Sequence, residues 1–127
     1  MSADRSRWPD WLLEADISDD AQITIDPDGQ VVWHGGTWLG GYWMGGTWEN
    51  GLWRSGIWMG GSWGGGTWKS GYWYDGTWEG GTWKRGFWED GTWEDGTWEG
   101  GTWHGGTWQG GYWMYSTTPP QSRESER

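Results

Sequence analysis

The feature that most constrains this chain is a tryptophan at every fifth position from Trp33 to Trp113, seventeen times without a break. The unit around it reads Gly-Thr-Trp-x-Gly, as in residues 96–100. A strict short period is typical of repeat architectures, in which one small unit stacks on copies of itself. Because this repeat fills about two thirds of the 127 residues, little of the chain is left for a catalytic site. The sequence therefore constrains the fold more than the function.

The positions of the unit differ in the residues they accept. Gly lies two residues before Trp in every unit after the first, and the residue directly before Trp is most often Thr. The residue after Trp varies, and the next one is Gly, Asn, Asp or Ser up to residue 110, except at Arg85. We expect three extended residues, with Trp on one side, and then a turn. Aliphatic residues are scarce, so the predicted core consists of indole rings, namely Trp38, Trp43, Trp48, Trp53, Trp58, Trp63, Trp68, Trp73, Trp78, Trp83, Trp88, Trp93, Trp98, Trp103 and Trp108.

One way to fold such a unit is a twisted antiparallel meander of short hairpins. The pairs at 50–51, 75–76, 90–91 and 95–96 are Asn-Gly or Asp-Gly, which are strong two-residue turn signals. Residues 48–53 are similar to a tryptophan-zipper hairpin. Identical two-residue hairpins cannot repeat every five residues, however. The first and third residues of a three-residue strand direct their backbone N–H and C=O groups to the same side. Such a strand therefore cannot pair with both the strand before it and the strand after it. The turn types would have to alternate every ten residues, and the Thr residues before Trp do show a ten-residue alternation.

The other way is an all-β solenoid, in which every unit uses the same turn. Residues 31–115 resemble the pentapeptide-repeat family, with Gly at the small position two places before a central residue and Trp as that residue. The resemblance implies a right-handed, four-sided β-helix of about four coils with a Trp core, and Gly would offset the volume of the indole. Four units per coil predict a period of twenty, which would place Glu49, Lys69, Glu89 and Gln109 on neighbouring rungs. We favour the solenoid, with the meander as the alternative.

The two ends of the chain differ from the array. Residues 1–30 carry a net charge of −6 and predict a short helix start at 9–14 and two strands, 23–25 and 31–33, around a turn at 26–29. We interpret this segment as an acidic cap, because a solenoid needs an atypical end unit to cover its core. Residues 116–127 are rich in Ser, Thr and Pro and predict a disordered tail.

The composition excludes several classes of protein. There is no Cys, so disulfides and thiolate chemistry are excluded. The chain shows no secretory signal and no apolar run long enough for a membrane span, so we expect a cytoplasmic protein without membrane contact. With a net charge of −10 and four cations in residues 31–115, direct nucleic-acid binding is not expected.

Residues that could carry chemistry are few. The two histidines, His34 and His104, match no metal-ligand spacing, and we expect them on different faces of the solenoid. The Gly-rich segments lack the Lys-Ser or Lys-Thr that closes a phosphate-binding loop. We therefore predict no enzyme, no catalytic residues, no metal and no cofactor.

One surface feature stands out, a cluster of acidic residues late in the array. We predict a candidate acidic interaction face made of Glu89, Asp90, Glu94, Asp95 and Glu99. The predicted function is a non-catalytic scaffold for protein–protein interaction, with an unknown protein or the chain itself as partner, or a structural element. The alternatives are a DNA-mimicking inhibitor of a DNA-processing enzyme such as gyrase, which some acidic pentapeptide-repeat proteins are, and a carbohydrate-binding or self-assembling sheet with exposed Trp.

Overall fold

The computed structural model describes residues 5–114, which form one helix and nineteen short strands. The helix is α1 (Asp10–Glu14). The strands of the N-terminal part are β1 (Asp16–Ile17), β2 (Gln22–Ile25), β3 (Val31–Gly35) and β4 (Thr37–Gly40). Each later strand consists of a Trp and the residue before it: β5 (Tyr42–Trp43), β6 (Thr47–Trp48), β7 (Leu52–Trp53), β8 (Ile57–Trp58), β9 (Ser62–Trp63), β10 (Thr67–Trp68), β11 (Tyr72–Trp73), β12 (Thr77–Trp78), β13 (Thr82–Trp83), β14 (Phe87–Trp88), β15 (Thr92–Trp93), β16 (Thr97–Trp98), β17 (Thr102–Trp103), β18 (Thr107–Trp108) and β19 (Tyr112–Trp113).

The strands of the array form three parallel sheets in which each strand pairs with the third strand after it. Two N-terminal strands, β1 and β2, add to two of these sheets in antiparallel orientation. The full orders are β1-β4-β7-β10-β13-β16-β19, β5-β8-β11-β14-β17 and β2-β3-β6-β9-β12-β15-β18. Trp53 pairs with Trp68 and Trp68 with Trp83, so one coil takes fifteen residues. The predicted β-solenoid is confirmed, and the antiparallel meander is wrong.

The cross-section has three sides instead of the four that the family resemblance implied. Residues twenty apart, such as Glu49 and Lys69, therefore lie on different sheets and are not neighbours on successive rungs. The seventeen units fill between five and six coils rather than four. From Trp33 to Trp108 the stack rises in five steps of 4.7–4.9 Å between ring centroids.

Indole rings fill the interior, as predicted. Every Trp from Trp33 to Trp98 is at most 1% exposed, Trp108 is buried, and Trp103 and Trp113 are partly buried. Rings on successive coils stack with centroids 4.7–5.0 Å apart. Up to Trp108, consecutive Trp residues along the chain meet edge to face at 5.7–6.0 Å. Both geometries are favourable for aromatic rings. The three indoles of one coil therefore form a triangle in which the edge of each ring contacts the face of a neighbouring ring.

Ring packing, more than hydrogen bonding, holds this interior together. The indole N–H groups of Trp48, Trp73 and Trp83 donate to backbone carbonyls of the next coil at 3.0–3.1 Å. Among residues 5–114, twelve other buried indole N–H groups have no hydrogen-bond partner. The coils are joined through the backbone by two bonds per strand, for example Lys69 N–H to the Trp53 carbonyl at 2.8 Å.

The Gly two residues before each Trp is required by the backbone. All sixteen have positive φ angles between 103° and 132°, a region that residues with a side chain rarely adopt. At Gly81, a Cβ atom would lie 2.4 Å from the carbonyl oxygen of Gly66 on the coil before it. At seven of these glycines, including Gly96, a Cβ atom would also lie 3.0–3.2 Å from the Nε1 atom of a nearby indole. Gly therefore does make room for indole rings there, as predicted, but its closest neighbour is the backbone of the preceding coil.

The Asn-Gly and Asp-Gly pairs form corners of the solenoid and not hairpin turns. In each pair the side-chain oxygen accepts the N–H of the following Gly at 2.8–2.9 Å, and the acceptors are Asn50, Asp75, Asp90 and Asp95. The same sequence signal thus serves a corner that joins two parallel sheets.

The N-terminal segment covers the first coil. As predicted, β2 and β3 form an antiparallel pair around a turn, in which the Asp26 carboxylate accepts the N–H groups of Asp28 and Gln30 at 2.9 Å. β1 pairs antiparallel with β4. In α1, Leu12 is buried, and the neighbouring Trp11 ring lies 5.2 Å from that of Trp43.

The cap also occupies the places that a preceding coil would fill. A Cβ atom added to Gly36 would lie 2.6 Å from the backbone of Ala21, and one added to Gly41 would lie 3.1 Å from that of Ala15. A Cβ atom added to Gly46 would lie 2.4 Å from the carbonyl oxygen of Val31.

At the other end, the last described coil exposes more of its residues, and Tyr112 is 76% exposed. The predicted tail at 116–127 lies outside the described residues. No helix within residues 5–114 has the length and apolar character needed to cross a membrane.

Candidate functional site

Three outer faces carry the side chains that could meet a partner. The residues directly before and after each Trp point away from the core, because side chains alternate along a strand. Since paired strands are fifteen residues apart, the same position recurs on successive coils as a column. The composition of each column gives the three faces different chemistry.

The aromatic face is the outer side of the sheet that contains β5, β8, β11, β14 and β17. One column holds Tyr42, Ile57, Tyr72, Phe87 and Thr102, and the other holds Met44, Met59, Tyr74, Glu89 and His104. The rings of Tyr72 and Phe87 stack at 5.1 Å. Tyr42, Met44 and Tyr74 are about half exposed. At the N-terminal end of this face, a cavity of about 410 Å³ is lined by Trp11, Glu14, Gly41, Tyr42 and Met44.

A hydrogen bond marks where the aromatic face becomes polar. The Tyr72 hydroxyl donates to Glu89 Oε1 at 2.6 Å. This bond, together with desolvation and the negative charge of Glu89, raises the pKa of Tyr72 to about 12, because all three favour the neutral phenol. On the other side of Glu89, His104 Nδ1 lies 3.6 Å from Oε2.

The basic face is the outer side of the sheet that contains β4, β7, β10, β13, β16 and β19. The column after Trp reads Leu39, Arg54, Lys69, Lys84, Glu99 and Met114. Arg85 stands at the corner beside this column. An open groove of about 950 Å³ is lined by Arg54, Lys69, Ser70, Lys84, Arg85, Glu99, Gly100 and Gly101. Lys84 Nζ forms an ion pair with Glu99 Oε1 at 3.4 Å.

The threonine face is the outer side of the sheet that contains β3, β6, β9, β12, β15 and β18. The column before Trp holds Val32, Thr47, Ser62, Thr77, Thr92 and Thr107, and the column after Trp holds His34, Glu49, Gly64, Glu79, Glu94 and Gln109. His34 Nδ1 lies 2.8 Å from Glu49 Oε1, and Nε2 lies 2.8 Å from the Thr24 hydroxyl. The two histidines are on different faces, as expected.

The five residues of the predicted acidic interaction face do not share one surface. Glu89 and Asp90 follow β14 on the aromatic face, Glu94 and Asp95 follow β15 on the threonine face, and Glu99 follows β16 on the basic face. They lie around one coil, because fifteen residues make a full turn. Four of the five already have partners: Asp90 and Asp95 accept corner N–H groups, Glu99 pairs with Lys84, and Glu89 accepts the Tyr72 hydroxyl.

The described residues form three chemically distinct surfaces and no built metal centre. Within residues 5–114, no group of three or more His, Cys, Asp or Glu side chains is arranged to hold a metal ion. The indoles are buried, so the carbohydrate-binding sheet with exposed Trp has no counterpart in this structure.

The sequence contains a pattern that indicates the aromatic and basic faces, although neither face was predicted. Arg54, Lys69 and Lys84 recur every fifteen residues, and so do the four bulky residues from Tyr42 to Phe87. These residues fall into columns only at a period of fifteen, whereas the four-sided coil that the family resemblance implied has a period of twenty.

Comparisons of the chain with protein-family models, with curated proteins and with solved structures gave no match. The pentapeptide-repeat family therefore remains a resemblance, and the three-sided coil differs from the four-sided one that it implied.

Proposed function

We propose that this protein is a non-catalytic scaffold that binds another protein through the aromatic face. The observation that carries the proposal is the run of large apolar side chains on that face over successive coils, namely Tyr42, Met44, Ile57, Met59, Tyr72, Tyr74 and Phe87. On the other two faces, the equivalent columns hold mostly Thr and charged residues.

The composition of this run is that of an interface centre. Tyr, Phe and Met are enriched in the buried parts of protein–protein interfaces, and charged residues are depleted there. The middle of the face is also rigid, since β8, β11 and β14 are each bonded to a strand on both sides and rest on packed indoles. A rigid surface loses little conformational entropy on binding, which favours affinity.

The cavity beside Tyr42 and Met44 supports a specific type of partner. A volume of about 410 Å³ accepts one large apolar side chain, and the Glu14 carboxylate at its edge favours a cationic neighbour. From the middle of the face onward, acidic residues follow its strands, with Asp75 after β11 and Glu89 and Asp90 after β14. The expected partner surface therefore has an apolar anchor residue with Lys or Arg around it.

The experiment uses a photo-crosslinking amino acid at Tyr74 in cells, followed by purification of the captured protein and a binding titration. We expect the purified partner to bind the wild-type chain and to lose about tenfold or more in affinity with Tyr42→Ser or Tyr74→Ser. Tyr112→Ser is the matched control, because Tyr112 is an exposed Tyr directly before a Trp on the basic face. Equal losses from all three variants would rule out the aromatic face.

Self-association is the competing outcome. If light scattering shows that the wild-type chain is a dimer and Tyr74→Ser is a monomer, the partner is a second copy and the proposal of a different protein is wrong.

The DNA-mimic alternative receives less support from the geometry. A mimic needs a continuous acidic surface, whereas the five acidic residues are spread over three faces, one of which carries the cations. A gyrase supercoiling assay tests it directly, and inhibition at micromolar protein would replace the scaffold proposal.

A further inference from the structure

All four cations of the repeat array lie on one of the three faces, in a chain of net charge −10. We propose that the groove on the basic face binds a compact ligand that carries several linked phosphate groups. This site is on a different face from the proposed protein interface and does not depend on it.

The cations form a column at successive coils. Arg54, Lys69 and Lys84 follow paired strands β7, β10 and β13, so they occupy the same position on three neighbouring rungs. Like charges directly opposite each other on paired strands destabilise a sheet. The chain contains more than twice as many acidic as basic residues, yet within residues 5–114 no ion pair involves Arg54, Lys69 or Arg85. The column therefore offers cationic groups that the fold leaves unneutralised.

The groove beside the column explains how these groups reach one ligand. Its volume of about 950 Å³ is large enough for a small molecule with several phosphates. Ser70, Gly100 and Gly101 also line the groove. Because their side chains are small or absent, the corners beside the column project little into the groove. Arg85 replaces the Gly, Asn, Asp or Ser of the equivalent corners up to residue 110, and it adds a fourth cation at the same place.

The mixture of side chains favours phosphate. Arg provides a planar fork of N–H donors that fits phosphate oxygens, while Lys adds mobile point charges and Ser70 a hydroxyl donor. Several phosphates joined in one molecule would engage consecutive rungs together, which a single phosphate cannot do.

The length of the column and the other faces favour a small ligand over a nucleic acid. Three rungs at about 4.8 Å spacing span only about 10 Å. Beyond that stretch the column continues with Glu99, and the threonine face next to this sheet carries Glu49, Glu79 and Glu94. A long polyanion that leaves the groove would meet these carboxylates.

Isothermal titration of the full chain with inorganic triphosphate tests the proposal, at about 50 mM salt, where screening is weak. We expect one site, with Lys69→Ala weakening binding about tenfold, as for the loss of a charged hydrogen bond. Lys69→Arg keeps the charge and should stay within about threefold. Glu99→Gln should strengthen binding, because Glu99 supplies the one carboxylate among the described residues that line the groove.

The matched control is Gln109→Glu on the threonine face, which lowers the net charge by one, as Lys69→Ala does. If Gln109→Glu weakens triphosphate as much as Lys69→Ala, the effect is general electrostatics and the site is wrong. Absence of binding at about 1 mM triphosphate would also refute it. Citrate that binds as tightly as triphosphate contradicts the phosphate assignment. A single-stranded oligonucleotide that binds more tightly than triphosphate makes the ligand a nucleic acid.

Discussion

The interior and the surface of this solenoid follow different rules. Inside, every rung presents an indole, successive rungs stack ring on ring, and each corner Gly has a positive φ between 103° and 132°. Outside, the residues on either side of Trp change from face to face, which yields an aromatic, a basic and a threonine surface. Stability therefore depends on the invariant positions of the repeat, while the chemistry of the surface depends on the variable ones. Substitutions at the two kinds of position should have very different effects on folding.

The largest difference in stability is expected between substitutions of two adjacent aromatic residues, Trp73 inside the coil and Tyr74 outside it. Trp73 is fully buried and stacks on two indoles, whereas Tyr74 is 48% exposed. Trp73→Ala should lower the free energy of unfolding by about 3–5 kcal/mol, the usual cost of emptying a core position of this size. Tyr74→Ala should change it by about 0.5 kcal/mol or less. Denaturant titration followed by circular dichroism measures both, and similar losses would abolish the distinction between interior and surface.

Neighbouring glycines offer a second pair. Gly81 has a φ of 104° and would place a Cβ 2.4 Å from a backbone oxygen, whereas the nearest atom to a Cβ on Gly80 is 3.6 Å away. Gly81→Ala should cost about 3 kcal/mol of stability, from a strained backbone and a displaced coil. Gly80→Ala should be neutral or slightly stabilising, since Ala restricts the unfolded chain. Tolerance of Ala at Gly81 would show that the corner does not need glycine.

Corner carboxylates should matter less. Asp95 accepts the Gly96 N–H at 2.9 Å, while the carboxylate of the exposed Glu94 beside it forms no hydrogen bond or ion pair within residues 5–114. Asp95→Ala should destabilise the chain by about 1 kcal/mol, the net value of one hydrogen bond. Glu94→Ala should leave the unfolding midpoint unchanged, and an equal shift from both would point to overall charge as the cause.

The smallest effect concerns the pH dependence of one surface pair. The pKa of Tyr72 is raised from 10.0 to about 12 mainly by its hydrogen bond to Glu89. Because the folded pKa exceeds the unfolded one, the pair stabilises the fold below pH 10, and this contribution is lost as the pH rises toward 12. Glu89→Gln should lower the pKa of Tyr72 toward 10.0, which phenolate difference absorbance can follow, with Tyr72→Phe identifying the signal. An unchanged alkaline titration in Glu89→Gln would exclude the pair as the cause.

Much of the fold could be predicted from local patterns. The five-residue period of Trp indicated a core position. The backbone direction of three-residue strands favoured a solenoid over repeated hairpins, and the turn at residues 26–29 indicated the N-terminal hairpin. The candidate site was predicted poorly. The acidic residues are close together along the chain. Because one coil takes fifteen residues and crosses all three sheets, neighbours in sequence lie on different faces.

The repeat unit, the inward position of Trp and the glycine corners are readable from the sequence, because the five-residue spacing is invariant and the positive φ of a corner favours glycine locally. The number of units that close one coil is a property of the folded molecule. That number depends on how indoles meet across the whole cross-section, where three rings fit edge to face and stack at 4.7–5.0 Å on the next coil. Since three units make fifteen residues, this packing also decided that Arg54, Lys69 and Lys84 stand in one column and that the acidic residues do not.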